Sequence, residues 1–239
     1  MDQRVALVTG STSGIGEAVA RRFARDGCHV VVHSGASVDA GERLAAELGG
    51  TYVRADLADA DAAGAIVAAE LAALGRLDVL VNNAGISWPI PHDDLAAATP
   101  QAWRELLEVN LVSPWALTTA AAPYLRAAQG CVVNVTSHAG VRPKGSSVPY
   151  AASKAALNHV TRLLAVALGP DVRVNAVAPG LVDTPMTADW SAAQELWRTR
   201  SPMRRAATPE DVAALVADLV GHDYLTGEVV VLDGGLNLT

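Results

Sequence analysis

Tyr150 and Lys154 stand four residues apart in an Ala-rich stretch of helical periodicity, so one helix face carries a phenol and an ammonium together. A free phenol has a pKa of ~10, and a fixed positive charge beside it favours the phenolate, drawing the group toward the range useful for proton transfer. Ser137 follows the apolar run Cys131–Val135. A hydroxyl at the carboxyl end of a strand can hold an oxygen on which negative charge develops. Taken singly, each has an ordinary explanation: serine turns a chain, tyrosine packs, lysine sits in water. Together they could move a proton to or from an oxygen of an organic substrate.

Positioning these groups requires strands and helices in alternation. Short β-branched runs fall near Val5–Val8, Val30–Val32, Thr51–Arg54, Val79–Val81, Cys131–Val135, Val174–Ala178 and Glu228–Leu232. They are continuously apolar, as strands covered on both faces are. Between them, apolar residues recur at helical spacing in Gly14–Arg25, Gly41–Leu48, Ala60–Leu74, Pro100–Ala128, Tyr150–Leu168 and Pro209–Val220. Thr99 and Thr208 each precede a proline and offer an N-cap oxygen. The pattern predicts an α/β, doubly wound, seven-stranded parallel sheet with helices on both faces: a single-domain Rossmann fold with ligands at the carboxyl ends of its strands. No linker or repeat divides the 239 residues, and segment 183–205 reads as a lid or pocket wall within the one domain.

The first strand runs into Gly10-x3-Gly14-x-Gly16 and then directly into a helix. Glycines there permit a sharp turn and close backbone approach, and the free N–H groups of the helix start suit a pyrophosphate. The spacing differs from G-x-G-x-x-G, so its position carries the argument for a dinucleotide. At the end of the second strand, where an acidic residue would take a ribose 2′-hydroxyl, the chain reads His33-Ser34-Gly35. With no carboxylate to repel a 2′-phosphate and Ser34 able to donate to one, NADP(H) is favoured and NAD(H) stays open.

These motifs, with Asn82-Asn83-Ala84-Gly85, Pro179-Gly180 and Asp233-Gly234-Gly235, make the whole chain resemble a short-chain dehydrogenase/reductase. The likeness is to the compact, single-domain members such as the 3-oxoacyl-carrier-protein reductases. It implies an NAD(P)-dependent oxidoreductase in which Tyr150 is the general acid, Lys154 binds the nicotinamide ribose and lowers the tyrosine pKa, and Ser137 holds the substrate oxygen. Asn110 matches the fourth catalytic member, which in the family shapes a helix kink and supports a proton path to the lysine. The resemblance implies cofactor contacts at Gly10, Ser13, Gly14, Ile15, Gly16, Ser34, Asp56, Leu57, Asn83, Ala84 and Gly85. Further contacts fall at Pro179, Gly180, Val182 and Thr184, besides Tyr150 and Lys154. It also implies dimers or tetramers.

The substrate pocket should lie beside Ser137 and Tyr150, walled by His138, Trp88, Met186 and Trp190, with Trp197 and Met203 nearby. Large aromatic and thioether groups suit a partly apolar carbonyl or alcohol. Eighteen basic against 25 acidic residues, a net charge of −7, disfavour nucleic acid as a partner. Cys28 and Cys131 read as buried thiols, with no metal site and no disulfide. Met1-Asp2-Gln3-Arg4 leads straight into Val5–Val8 without an export signal, and Gly64–Leu74 and Ala116–Ala122 fall short of the ~20 apolar residues of a membrane helix. A cytoplasmic protein with no membrane partner is expected. The rival reading, a non-catalytic nucleotide sensor or scaffold on this fold, would not need Tyr150 or Lys154.

Overall fold

A computed structural model describes residues 3–239; Met1 and Asp2, where the reading of the N-terminus begins, lie outside them. Strands β1 (Val5–Val8), β2 (His29–Ser34), β3 (Thr51–Arg54), β4 (Val79–Asn82), β5 (Cys131–Val135), β6 (Arg173–Pro179) and β7 (Val229–Leu232) form one sheet in the order β3-β2-β1-β4-β5-β6-β7. Every pairing is parallel. The strand order reverses beside β1, between β2 and β4, and a crevice opens there past the strand ends.

The crossovers contain α1 (Gly14–Arg25), α2 (Val38–Leu48), α3 (Ala60–Ile66), α4 (Ala72–Leu74), α5 (Pro100–Leu107), α6 (Ser113–Ala128), α7 (Val148–Leu168), α8 (Ser191–Arg200) and α9 (Pro209–Gly221). Alternation along each strand divides the core into two layers. Ala6, Val8, Val30 and Val32 pack with Val19 and Phe23 of α1, Leu44 of α2 and Val212 and Val216 of α9. Leu7, Val31, Leu80 and Val132 pack on the other face with Leu117 and Leu125 of α6 and Leu164 of α7. Each such leucine, fully out of water, stabilises the fold by roughly 2 kcal/mol before entropy is counted.

Thr99 and Thr208 cap as expected: their hydroxyls accept from Ala102 N at 3.3 Å and Asp211 N at 3.2 Å. Two stretches expected as continuous helices are interrupted by π-turns. Ala60–Leu74 widens at Val67–Leu71, and Pro100–Ala128 widens at Glu108–Val112. The second has a visible cause. An unbroken α-helix would ask Pro114 to donate to the Asn110 carbonyl, and proline has no N–H. Helix α2 begins three residues before the expected Gly41. Segment 183–205 holds a 3₁₀ turn, Pro185–Thr187, and then α8. A parallel bridge between Val182 and Ala207 ties its two ends together.

Candidate active site

Where β1 gives way to α1, Gly10 and Gly14 take φ of +62° and +54°, a region open to glycine at little cost. A Cβ on Gly16 would stand 2.2 Å from the Gly10 carbonyl oxygen and 2.5 Å from Asn83 Nδ2. Asn83 clamps the turn, its Nδ2 donating to the carbonyls of Thr9 (2.8 Å) and Gly10 (3.2 Å). Thr9 Oγ1 in return accepts from the N–H of Asn83 (3.0 Å) and of Ala84 (2.9 Å). Ser13 makes no side-chain hydrogen bond to the first turn of α1, which leaves those N–H groups to an anion.

Along the ends of β2 and β3, Ser34 Oγ and the Tyr52 phenol lie 2.8 Å apart. His33 is buried and both its ring nitrogens are engaged with backbone, so the ring is not free for a ribose phosphate. Asp56 turns one carboxylate oxygen to Ala58 N at 3.0 Å, and the buried Leu57 follows it.

Helix α7 presents Tyr150 one turn before Lys154. Ser147 caps it, accepting from Tyr150 N at 3.3 Å. Lys154 is 4% exposed; its Nζ donates to the Val135 carbonyl at 3.0 Å and lies 6.0 Å from the centre of the Tyr150 ring. Burial lowers the Lys154 pKa to about 8. The expectation of a lowered phenol pKa is not met: burial pushes Tyr150 up, against a smaller opposite pull from the Ser137 hydroxyl. Desolvation of the anion outweighs a cation that is itself tied to a carbonyl. Ser137, just past β5, accepts from Ala139 N at 3.1 Å.

Asn110 is fully buried in the second π-turn. Its Oδ1 accepts from Ile86 N at 2.9 Å, and its Nδ2 donates to Ile86 O at 3.0 Å and to Ser153 Oγ at 3.2 Å. Gly85 fits between, where a Cβ would stand 2.9 Å from Asn110 Oδ1 and 3.4 Å from Lys154 Nζ.

Most of these groups line one cavity of about 1680 Å³. From the expected set, Gly10, Ser13, Gly14, Ile15, Ser34, Asp56, Leu57, Asn83, Ala84 and Gly85 line one side of it. Ser137, His138, Tyr150, Lys154, Pro179, Gly180, Val182, Thr184, Met186 and Trp190 also line it, Thr184 coming back against the glycine turn with its Cγ2 3.2 Å from where a Cβ of Gly14 would stand. Gly16 and Asn110 stand behind the lining, one closing the turn and one bracing Ile86. Trp88, expected in the pocket wall, is not part of the lining, although Ser87 and Pro89 on either side of it are. Met203 is likewise outside the lining, whereas Trp197 is part of it. The His138 ring meets Trp197 edge-on at 6.0 Å. Its Nε2 lies 3.5 Å from Asp233 Oδ2 without forming a hydrogen bond, and burial lowers its pKa. The volume exceeds the ~300–1,000 Å³ of an ordinary small-ligand pocket, and Ser13, Gly14 and Ile15 bring the start of α1, free of any side-chain cap, into its lining, so a dinucleotide with a second organic molecule fits.

The sequence model of the enoyl-(acyl carrier protein) reductase family matches residues 10–237. A putative ketoacyl reductase of the granaticin polyketide synthase of Streptomyces violaceoruber is 52% identical, over 98% of this chain and 96% of its own. The chain belongs to the short-chain dehydrogenase/reductase family. Among solved members, the 3-ketoacyl-(acyl-carrier-protein) reductase of Brucella melitensis, complexed with NADH, superposes with a TM-score of 0.90 at 31% identity, covering 98% of each chain. A blue fluorescent protein from a metagenomic library, in complex with NADPH, gives 0.90 at 33% identity, covering 98% of this chain and 97% of its own. This short-chain dehydrogenase/reductase is an NAD(P)-dependent oxidoreductase. Among the described residues no helix is long and apolar enough to cross a membrane.

Sequence reasoning missed four contributors. Thr9, Ser153 and the ring of His33 act by hydrogen bonds between distant segments, which spacing does not reveal. Leu196 lines the cavity from α8, within the segment read only as a lid or pocket wall.

Proposed function

We propose that this oxidoreductase interconverts a ketone and a secondary alcohol on an extended, partly apolar substrate of the 3-oxoacyl class. The observation that carries the reading is that the Tyr150 phenol bonds with the Ser137 hydroxyl and has Lys154 Nζ 6.0 Å from its ring centre, all three lining the cavity that the glycine turn also lines. Two neighbouring hydroxyls in one cavity suit an oxygen gathering negative charge. The nicotinamide cofactor, when bound, supplies or takes the hydride. Ser137 holds the substrate oxygen, Tyr150 gives it a proton in reduction and takes it back in oxidation, and Lys154 holds the ribose and stabilises the phenolate that remains. Asn110 positions the loop at Ile86. The turn residues, Asp56-Leu57, Asn83 to Gly85 and Pro179 to Thr184 hold the rest of the cofactor.

NADP(H) is the favoured cofactor and NAD(H) the alternative. In support, no carboxylate ends β2, the Ser34–Tyr52 hydroxyl pair has a proton to offer, and Arg54 reaches the Gly35 carbonyl at 3.3 Å beside it. Separate fluorescence titrations with NADPH and NADH decide, tighter NADH binding overturning the preference. For the substrate, the relatives named for ketoacyl reduction support a 3-oxoacyl thioester, and Ile90, Met186, Trp190 and Leu196 supply apolar lining for its chain. Segment 183–205 acts as the lid over it.

The exposed Trp115 on α6 and Leu163 and Val166 on α7, the last 85% exposed, support a dimer or tetramer through these helices. Light scattering of Val166→Glu should then show a smaller particle than the parent. The unpaired, buried Cys28 and Cys131 suit a reducing cytoplasm.

Tyr150→Phe tests the chemistry. Turnover of 3-oxoacyl thioesters should fall at least about a hundredfold while cofactor affinity stays within about threefold. Unchanged turnover would remove Tyr150 from its role.

A further inference from the structure

His33 is the last but one residue of β2 and is 1% exposed. Its Nδ1 lies 3.1 Å from the Gly10 N–H and its Nε2 lies 3.0 Å from the Ala55 carbonyl. One partner can only donate and the other only accept, so the ring is the neutral tautomer with its proton on Nε2. The backbone reinforces the joint: Ser11 N donates to His33 O at 2.9 Å, and His33 N donates to Ser11 Oγ at 2.8 Å. Gly10 and Ala55 both line the cavity, on two different strand ends. The imidazole is the side chain that bonds both.

We propose that His33 is a positioning residue for the dinucleotide: its neutral ring pins the glycine turn to the Ala55–Leu57 wall, and taking up a proton breaks that joint and weakens cofactor binding. The inference rests on the reading that the dinucleotide lies along this turn. An imidazolium has no lone pair left at Nδ1, so two N–H groups would face each other at the Gly10 end. The donation from Nε2 to Ala55 would survive, which confines the damage to the turn. Burial lowers the His33 pKa, with the Ala55 bond opposing, so the ring is neutral at neutral pH and charges only in acid. Charged and titratable neighbours are otherwise engaged. On β3, Tyr52 bonds Ser34 and Arg54 bonds Gly35 O; beyond it, Asp56 bonds Ala58 N. On α1, Glu17 pairs with Arg21, and the glycine turn itself carries no ionisable side chain.

The test is the dissociation constant for NADP⁺, by calorimetry from pH 7.5 to pH 5, in three proteins. In the parent, affinity should weaken as pH falls, up to about tenfold per unit once the ring titrates. His33→Asn places an amide oxygen where Nδ1 accepts and does not titrate, so that part of the acid slope should vanish. His33→Phe fills the space with no acceptor, and roughly a tenfold weaker constant is expected at pH 7.5, appearing in cofactor KM rather than kcat. A parent-like slope in His33→Asn, or parent-like affinity at pH 7.5 in His33→Phe, overturns the proposal. Should His33→Phe not fold, the Asn slope still decides. Cofactor binding is measured without a ketone, so a parent that binds NADP⁺ but reduces no 3-oxoacyl thioester would sink the proposed reaction and leave the His33 result standing.

Discussion

On the glycine-turn side of the cavity, backbone packs on backbone and each loop is hydrogen-bonded to the next: Thr9 to Asn83 and Ala84, Asn83 to Gly10, Gly10 to His33. On the opposite side, α8 buries none of its residues and Met186 is 52% exposed. One wall is over-determined by short contacts, and the other is held at its ends by the Val182–Ala207 bridge and by the close seat of Trp197 over Gly180. The difference matches two tasks. A cofactor of fixed shape rewards a rigid cradle, whereas a substrate must enter and leave past a wall that gives.

The sharpest way to break the rigid side is Gly16→Val. A Cβ 2.2 Å from the Gly10 carbonyl oxygen has nowhere to go, because that oxygen is itself fixed by Asn83. Binding of either nicotinamide cofactor should be lost, and stability should drop by about 3 kcal/mol or more, read from chemical denaturation. Retained cofactor affinity would show that the turn is softer than its contacts imply.

Lys154 sits between the two walls, and its effect on stability has the opposite sign. Its pKa of about 8 in the fold lies below the ordinary lysine value, so between that pH and the ordinary value the unfolded chain carries a proton the folded chain has lost. Stability contributed by this group therefore rises with pH across that window, and at pH 7 the cost of burying the charge is present in full, on the order of 3 kcal/mol. Lys154→Met should raise the melting temperature at pH 7 by a few degrees while abolishing turnover, and the gain should shrink toward pH 10. A melting temperature that falls at pH 7 would mean that the Lys154 hydrogen bond to Val135 outweighs the desolvation.

The strand runs, the Tyr150–Lys154 spacing and the glycine turn could be read from the chain because each is a local pattern: period, offset, or a residue type that a tight turn demands. Trp88 could not be placed, since its loop is held by bonds to a segment far along the chain, Ser87 Oγ to Ser146 Oγ and Ile90 N to Ser146 O, which no local pattern reveals. The helix Pro100–Ala128 carried its own warning in Pro114, whose missing N–H is what opens the π-turn that seats Asn110. The raised pKa of Tyr150 was beyond the sequence for another reason: the sign depends on how much water the fold removes, and only the packed cavity shows burial exceeding the help from Ser137.

The yielding wall offers the mildest test. Trp197 seats α8 against the sheet side: its Cζ2 stands 2.9 Å from where a Cβ of Gly180 would be, and its ring meets His138. Removing it frees α8 from the sheet side without touching the glycine turn. Trp197→Ala should therefore raise the KM for the proposed 3-oxoacyl substrate by roughly fivefold to tenfold, the equivalent of about 1–1.4 kcal/mol, and leave the dissociation constant for cofactor within about twofold. If cofactor binding weakened in step with substrate binding, the two walls would be mechanically coupled, and the division of labour drawn from their contacts would not hold.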